Sequence, residues 1–321
     1  MNKVNNLEIF PIIVPTQSSL RSINFYIVKS GDSLSLIDTG MNNEDCFNAL
    51  TNQLNEIGFS ISDLTDIILT HHHIDHIGLV NRIFSENQIP VYTHPLSIPR
   101  LTRNRSFLEM RVEFFSTLYA QMGCGEIGRK HVLFLKESIT KNNKNAITAT
   151  LKPMEDSRLH KFDIISTPGH APDQIALYDS LNRWLISGDL LINHISSNAL
   201  VEPDQDGNRI HTLVEHINSL KKCSSLKLDL VFPGHGELIE NPKQLIQERL
   251  ERIEGKSESL KSLISDGFDT GSALAQFYYK NKYEKQFSLV MSEIIGFLDY
   301  LEVKREISKK LVEGVWRYSV I

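Results

Sequence analysis

The chain has 321 residues, 41% hydrophobic, 8% aromatic and 23% charged, enough apolar material for one large and one smaller domain or two of medium size, which excludes a disordered or fibrous polymer. A formal net charge of -5 gives no broad positive field to attract nucleic acid, although a local basic groove stays open. Cys46, Cys124 and Cys223 are scattered and form no C-x-x-C pair, so they read as small buried apolar residues rather than disulfides or thiolate metal ligands. The amide-rich start, Met1 to Phe10, lacks an unbroken apolar run, and no later stretch approaches a bilayer span. A reducing cytoplasm with no membrane partner is therefore expected.

Leu7 to Val14, Ile23 to Val28 and Ser33 to Ile37 are apolar, β-branched and bounded by turn formers, and they predict strands. A helical pattern from Asn43 to Ile57 stops at Gly58, and Asp66 to Thr70 is a short buried strand that runs straight into histidines. Ile77 to Phe84 predicts a short helix, Pro90 to Thr93 a strand, and Phe107 to Met122 an aromatic-rich helix. The span 95–152 is helical and arginine-bearing, and it reads as an insertion: either a lid or substrate wall, or a packing or dimerisation helix, with about equal weight. Asp163 to Thr167, Gln174 to Tyr178, Arg183 to Ser187 and Leu228 to Phe232 predict four more strands. Strands on both sides of an insertion suit an α/β architecture of two sheets face to face with helices outside.

The texture changes near Asn241. From Pro242 onward Ile246, Leu250, Ile253, Leu260 and Ile264 share one helical face, so residues 1–241 and 242–321 are expected to form a catalytic domain and a small helical domain. Thr270 to Tyr279 and Ser288 to Leu301 predict two more helices. Ile307 to Leu311 and Trp316 to Val320 flank Glu313-Gly314 as a hairpin, an order that resembles a winged helix. Its basic residues, among them Lys280, Lys304, Arg305, Lys309, Lys310 and Arg317, are nearly balanced by acids. The candidate recognition helix is apolar apart from Glu293 and Asp299, which favours a tail that walls the site over one that enters a DNA groove.

The chemistry centres on Thr70-His71-His72-His73-Ile74-Asp75-His76-Ile77-Gly78. On an extended strand end, residues two apart share a face, so His71 and His73 can grip one ion while His72 points away. Asp75 and His76 add the mixed oxygen and nitrogen ligation that a second divalent ion accepts. His170, Asp189 and His235 each follow a strand and a glycine, and Asp38 follows a strand on the same rim.

The order H-x-H-x-D-H, then His, then Asp, then His, together with the Asp38-Thr39-Gly40 turn, resembles the metallo-β-lactamase superfamily in its glyoxalase II-like branch, over roughly the first three quarters of the chain. The resemblance implies the αββα sandwich of that family. It also implies a first metal on His71, His73 and His170, a second on Asp75, His76 and His235, Asp189 between them, and Asp38 orienting ligands from behind. The resemblance also gives Asp75 and Asp189 the catalytic roles. Zinc is the first choice of metal, with iron or manganese as alternatives. Water held by two divalent ions becomes hydroxide near neutral pH, and the same ions polarise the electrophile, so an ester-type bond of a small molecule is the expected target, thioester or lactone ahead.

The rival readings are a metal-dependent endoribonuclease, an iron-dependent persulfide dioxygenase and a binding protein that has lost its chemistry; the diiron flavoprotein branch fits less well because His73 stands where a carboxylate is expected. A homodimer is an open partner. His72, His94, His160, His194, His211 and His216 read as structural. Arg100, Arg103, Arg105 and Arg111 read as a solvated helix face twice as readily as an acidic-substrate site, and Phe107, Phe114, Phe115 and Tyr119 as core rather than pocket.

Overall fold

Apolar runs separated by turn formers resolve into two sheets in the computed structural model, which describes residues 7–154 and 158–321. The expectation drawn from the first six residues lies outside the described ones. In the first sheet, β1 (Leu7–Pro15), β2 (Ser22–Ser30), β3 (Ser33–Ile37), β4 (Asp66–Ile68), β5 (Val91–Thr93) and β6 (Leu151–Pro153) lie side by side in chain order. They are antiparallel as far as β3 and parallel from there. The second sheet holds β7 (Arg158–Leu159), β8 (Phe162–Ser166), β9 (Ile175–Asp179), β10 (Trp184–Gly188) and β11 (Leu230–Pro233), antiparallel except for the parallel β10–β11 pair.

The strand period of two decides which face each side chain joins. Along β2, Tyr26 and Val28 point into the layer between the sheets with Ile37, Ile68, Leu177, Ile186 and Phe232. Ile23, Phe25 and Ile27 point the other way, onto α1 (Glu44–Glu56) and the short helices α2 (Ile74–Ile77) and α3 (Val80–Glu86). Burial on both faces explains why β2 reads as a nearly continuous apolar run. The second sheet is covered in the same way, because Ala176, Tyr178 and Leu185 pack outward on Leu220, Cys223 and Leu245. The result is a helix–sheet–sheet–helix sandwich, as the sequence predicts, with observed strand ends within one or two residues of the predicted ones.

Between β5 and β6 run α4 (Ile98–Leu101), α5 (Arg105–Gln121) and α6 (Gly125–Lys141); α7 (Thr212–Ser224) precedes β11. The C-terminal region is helical with a small sheet: α8 (Pro242–Ser265), α9 (Gly271–Tyr279), α10 (Lys282–Lys285), α11 (Phe287–Val303), then the antiparallel pair β12 (Ile307–Val312) and β13 (Val315–Val320). Phe115, Leu118 and Tyr119 of α5, with Met122 just after it, join Leu274, Met291, Ile294 and Leu298 in one apolar cluster, so that face of the insertion packs against the C-terminal helices. Phe107 is buried as well, and Phe114 is half-buried against the cluster, so the aromatic stripe is core. Among the described residues no helix is long and apolar enough to cross a membrane.

Candidate metal centre

Five strand ends meet at one rim of the sandwich. Just past β4 the chain delivers His71 and His73, past β8 His170, past β10 Asp189, past β11 His235 and past β3 Asp38. All seven predicted donors come together there, in three overlapping groups: His71, His73 and His170; His71, His76 and Asp189; Asp75, His76 and His235. His73 Nδ1 lies 3.0 Å from His71 Nε2 and 2.9 Å from His170 Nε2. Asp189 Oδ2 is 3.4 Å from His170 Nε2 and 3.2 Å from His235 Nε2, while its Oδ1 is 3.4 Å from His76 Nε2. Asp75 Oδ2 sits 3.5 Å from His235 Nε2.

These spacings suit a cation. A tetrahedral zinc with ligands at about 2.0–2.1 Å separates its donors by roughly 3.3 Å. The buried atoms point to the same conclusion: His76 Nε2, His235 Nε2 and Asp189 Oδ1 are shut off from solvent without a hydrogen-bond partner among the described residues. Orphaned polar atoms of this kind are costly unless something positive joins them. Electrostatics divides the rings. Burial, with neighbouring imidazoles, pushes His71 and His73 well below the ordinary histidine range and His170 below it, leaving neutral lone pairs. Burial opposes charge on His76 and His235 too, but Asp189 and its fellow carboxylates outweigh it and raise both. Burial acts to raise Asp189, yet His76 and His235 hold it well below the usual carboxylate range.

The outward nitrogens are pinned. His76 Nδ1 is 2.8 Å from Asp38 Oδ2, and Thr70 donates its backbone N–H and hydroxyl to the same carboxylate at 2.8 and 2.7 Å. Asp38 holds a left-handed φ of 57°, a conformation unfavourable for a residue with a Cβ and sustained here by those bonds. His170 Nδ1 donates to Asn198 O at 2.8 Å and His235 Nδ1 to Ser22 O at 2.8 Å, which turns each Nε2 inward.

The glycines serve close approach. A Cβ on Gly169 would meet His216 Cα at 2.4 Å, and one on Gly188, at φ 50°, would meet Thr70 Oγ1 at 2.9 Å. Several supporting residues escape sequence reasoning. Ser22 and Asn24 lie in β2, where Asn24 Nδ2 donates to Pro233 O and Gly236 O at 3.1 and 2.8 Å and so fixes the His235 loop to the other sheet. Polar side chains inside a buried apolar strand were the available signal. Asp173 accepts from His72 at 2.6 Å and from Ser97 Oγ at 2.5 Å, which holds His72 away from the cluster as predicted.

His94, His160, His194 and His216 also stay outside the cluster: His94 caps a turn, His160 meets Asp66, His194 meets Ser19 O, and His216 is buried beside Gly169. The arginine expectation needs correction. Arg105 is solvated, but Arg100 and Arg111 are not a solvated face, since both are drawn inward onto the buried Glu202. Glu202 is 91 residues from Arg111 in the chain, too far for helical spacing to reveal the pairing.

Residues 19–235 match the family described as Metallo-beta-lactamase superfamily. The chain is 31% identical over 303 residues to the probable metallo-hydrolase YqjP of Bacillus subtilis (strain 168), covering 94% of both chains. It is 25% identical over 239 residues to an atrochrysone carboxyl ACP thioesterase of Aspergillus fumigatus, covering 74% of this chain and 58% of that one. The crystal structure of a metallo-beta-lactamase family protein from Thermus thermophilus, TTHA1429, is similar in fold, with a TM-score of 0.78 at 23% identity over 98% of both chains.

Proposed function

The chain belongs to the Metallo-beta-lactamase superfamily and is a hydrolase, and from that premise we propose that it cleaves a thioester, or a related ester or lactone, of a small molecule at a centre of two divalent cations. In this reading His71, His73 and His170 hold one cation, Asp75, His76 and His235 the other, and Asp189 reaches both. Zinc suits the mixture of imidazole and carboxylate, with iron and manganese as alternatives. The observation that carries the reading is the convergence of buried, unpartnered His76 Nε2, His235 Nε2 and Asp189 Oδ1 on one point. The thioester preference is supported by the similarity to a relative named as a thioesterase. The finer placement, a glyoxalase II-like 1–241 followed by a winged-helix-like 242–321, belongs to the same reading and is supported by helices that lead into the β12–β13 hairpin.

Bound there, the cations supply what the side chains lack: a water acidified enough to attack near neutral pH and a polarised carbonyl oxygen. The chain's own residues do the rest. Asp38, Asn198 O and Ser22 O fix the tautomers of His76, His170 and His235 so that each Nε2 lone pair is available. Asp75 is the more accessible carboxylate, its side chain 20% exposed against 6% for Asp189, and it accepts the proton that the attacking water gives up. Asp189 balances charge at the buried centre.

Elemental analysis of the purified full-length protein, joined to a panel of thioesters, lactones, phosphodiesters and short RNAs, tests the reading. Two cations per chain are expected, with thioester turnover that chelation removes and added metal restores. Asp189→Ala is expected to fold and to be inactive. Unchanged turnover by that variant, or a fully metallated protein inert toward every ester-type substrate, would defeat the assignment.

A further inference from the structure

A cleft of about 510 Å3 borders the histidine loop, a volume suited to a small-molecule group. His72, Ile74 and Ile77 of that loop line it together with Arg100, Arg103, Arg111 and Lys144; among the described residues no aspartate or glutamate lines it. Behind the wall, Glu202 serves both Arg100 and Arg111, one carboxylate for two guanidiniums. Asp173, further back, is engaged by His72 and Ser97.

Arg103 has less. Its Nη2 donates to Ser138 O at 3.0 Å, and among the described residues its buried Nε has no partner and neither it nor Lys144 joins an ion pair. Burial, with Arg111 nearby, weakens its hold on the proton. A partly buried guanidinium without a counter-charge is costly, and an incoming oxyanion removes that cost. A guanidinium fork matches a carboxylate or a phosphate equally well.

We infer that this cleft is an anion-recognition subsite, in which Arg103, with Arg111 and Lys144, takes a carboxylate or phosphate of the substrate while Ile74 and Ile77 pack on the carbon chain leading to the scissile carbonyl. The inference rests on the hydrolase reading of the neighbouring cluster. Its occupant is substrate rather than a remote effector because the wall of the cleft is the loop that carries His71, His73 and Asp75.

Two matched pairs of thioesters test it on the metal-loaded, full-length protein. A succinyl thioester of N-acetylcysteamine against its terminal amide reads a carboxylate, and an acetyl thioester of phosphopantetheine against that of pantetheine reads a phosphate. Removing a hydrogen bond to a charged group lowers kcat/KM by about tenfold or more. The anionic member of at least one pair is expected to be preferred by that factor, and the preference is expected to collapse toward unity in Arg103→Gln. Lys144→Gln, at an exposed position, is expected to reduce it in part without touching the packing. No preference in either pair, or a preference undiminished in both variants, overturns the subsite.

Should no thioester be turned over, the thioester preference fails separately, and calorimetric titration with succinate and inorganic phosphate still decides the subsite. Binding that weakens about tenfold in Arg103→Gln supports it. Equal binding by wild type and variant overturns it.

Discussion

Gly234 is where a single methyl group should separate the centre from the fold. A Cβ there would lie 2.3 Å from Asp189 Oδ1 and 2.7 Å from His76 Cε1, against the 3.4 Å at which ordinary contact begins. The backbone cannot yield, because Gly234 N donates to Gly188 O at 2.9 Å and Gly234 O accepts from Asn24 N at 2.8 Å. Asp189 and His76 must therefore move by about 1 Å, a displacement on the order of that which costs 100-fold in rate when it falls on reacting groups. Gly234→Ala is expected to lose about two decades of kcat/KM and the cation bound through His76, while His71, His73 and His170 keep theirs. Metal content after gel filtration, thioester turnover and a thermal melt read the three consequences. Gly255→Ala is the control, in α8 with ordinary helical backbone and nothing within 4 Å of its Cβ, and it is expected to stabilise by about 0.5–1 kcal/mol. A Gly234→Ala protein with two cations and wild-type kcat/KM would refute the reasoning.

Glu202→Gln leaves the partly buried Arg100 and Arg111 without their counter-charge and is expected to cost about 3–5 kcal/mol. An unchanged denaturation midpoint would show that both guanidiniums find other partners. His216 is fully buried, and burial, with His170 close by, lowers it from 6.5 to about 4. Below pH 6.5 the unfolded chain takes up a proton that the folded chain refuses, so stability falls with pH down to about 4, by roughly 3 kcal/mol in all. His216→Gln is expected to flatten that limb in denaturant titrations between pH 7 and 4; an identical slope would place the acid sensitivity elsewhere.

The rim of donors was legible because each donor follows an apolar run with a glycine or turn, a pattern that strand geometry alone turns into convergence. Helix α7 carries Leu213, Ile217 and Leu220 at helical spacing, so its signal was present but went unassigned among the loops before β11. Helix α6 likewise sets Ile127, Val132 and Leu135 against the helical cluster, but only half-buried, and the exposed Leu133 and Phe134 beside them blur which face is apolar. The two-residue β7 and three-residue β6 are too short to show a period of two. Long-range partners were harder to read: nothing local in Glu202 announces two arginines about a hundred residues upstream, and although the polar Ser22 and Asn24 stand out inside the apolar β2, only β11 set beside them shows what they hold.

The single apolar cluster shared by α5, α7 and the C-terminal helices bears on whether residues 1–241 form a unit of their own. Phe115, Leu118 and Tyr119 from α5, Met122 just after it, and Leu213 and Ile217 from α7 are buried largely against residues beyond 241. Exposing six such side chains at about 1.5–3 kcal/mol each forfeits roughly 9–18 kcal/mol, at least comparable with the whole stability of an ordinary domain. A 1–241 fragment is therefore expected to be aggregated or molten, visible as loss of a cooperative thermal transition. The Arg100–Arg111 wall would loosen with α5, so the anion subsite depends on the tail without touching it. A soluble 1–241 fragment that melts cooperatively within a few degrees of the full chain would show that α5 packs well enough on the sandwich alone and that the tail is a separable addition.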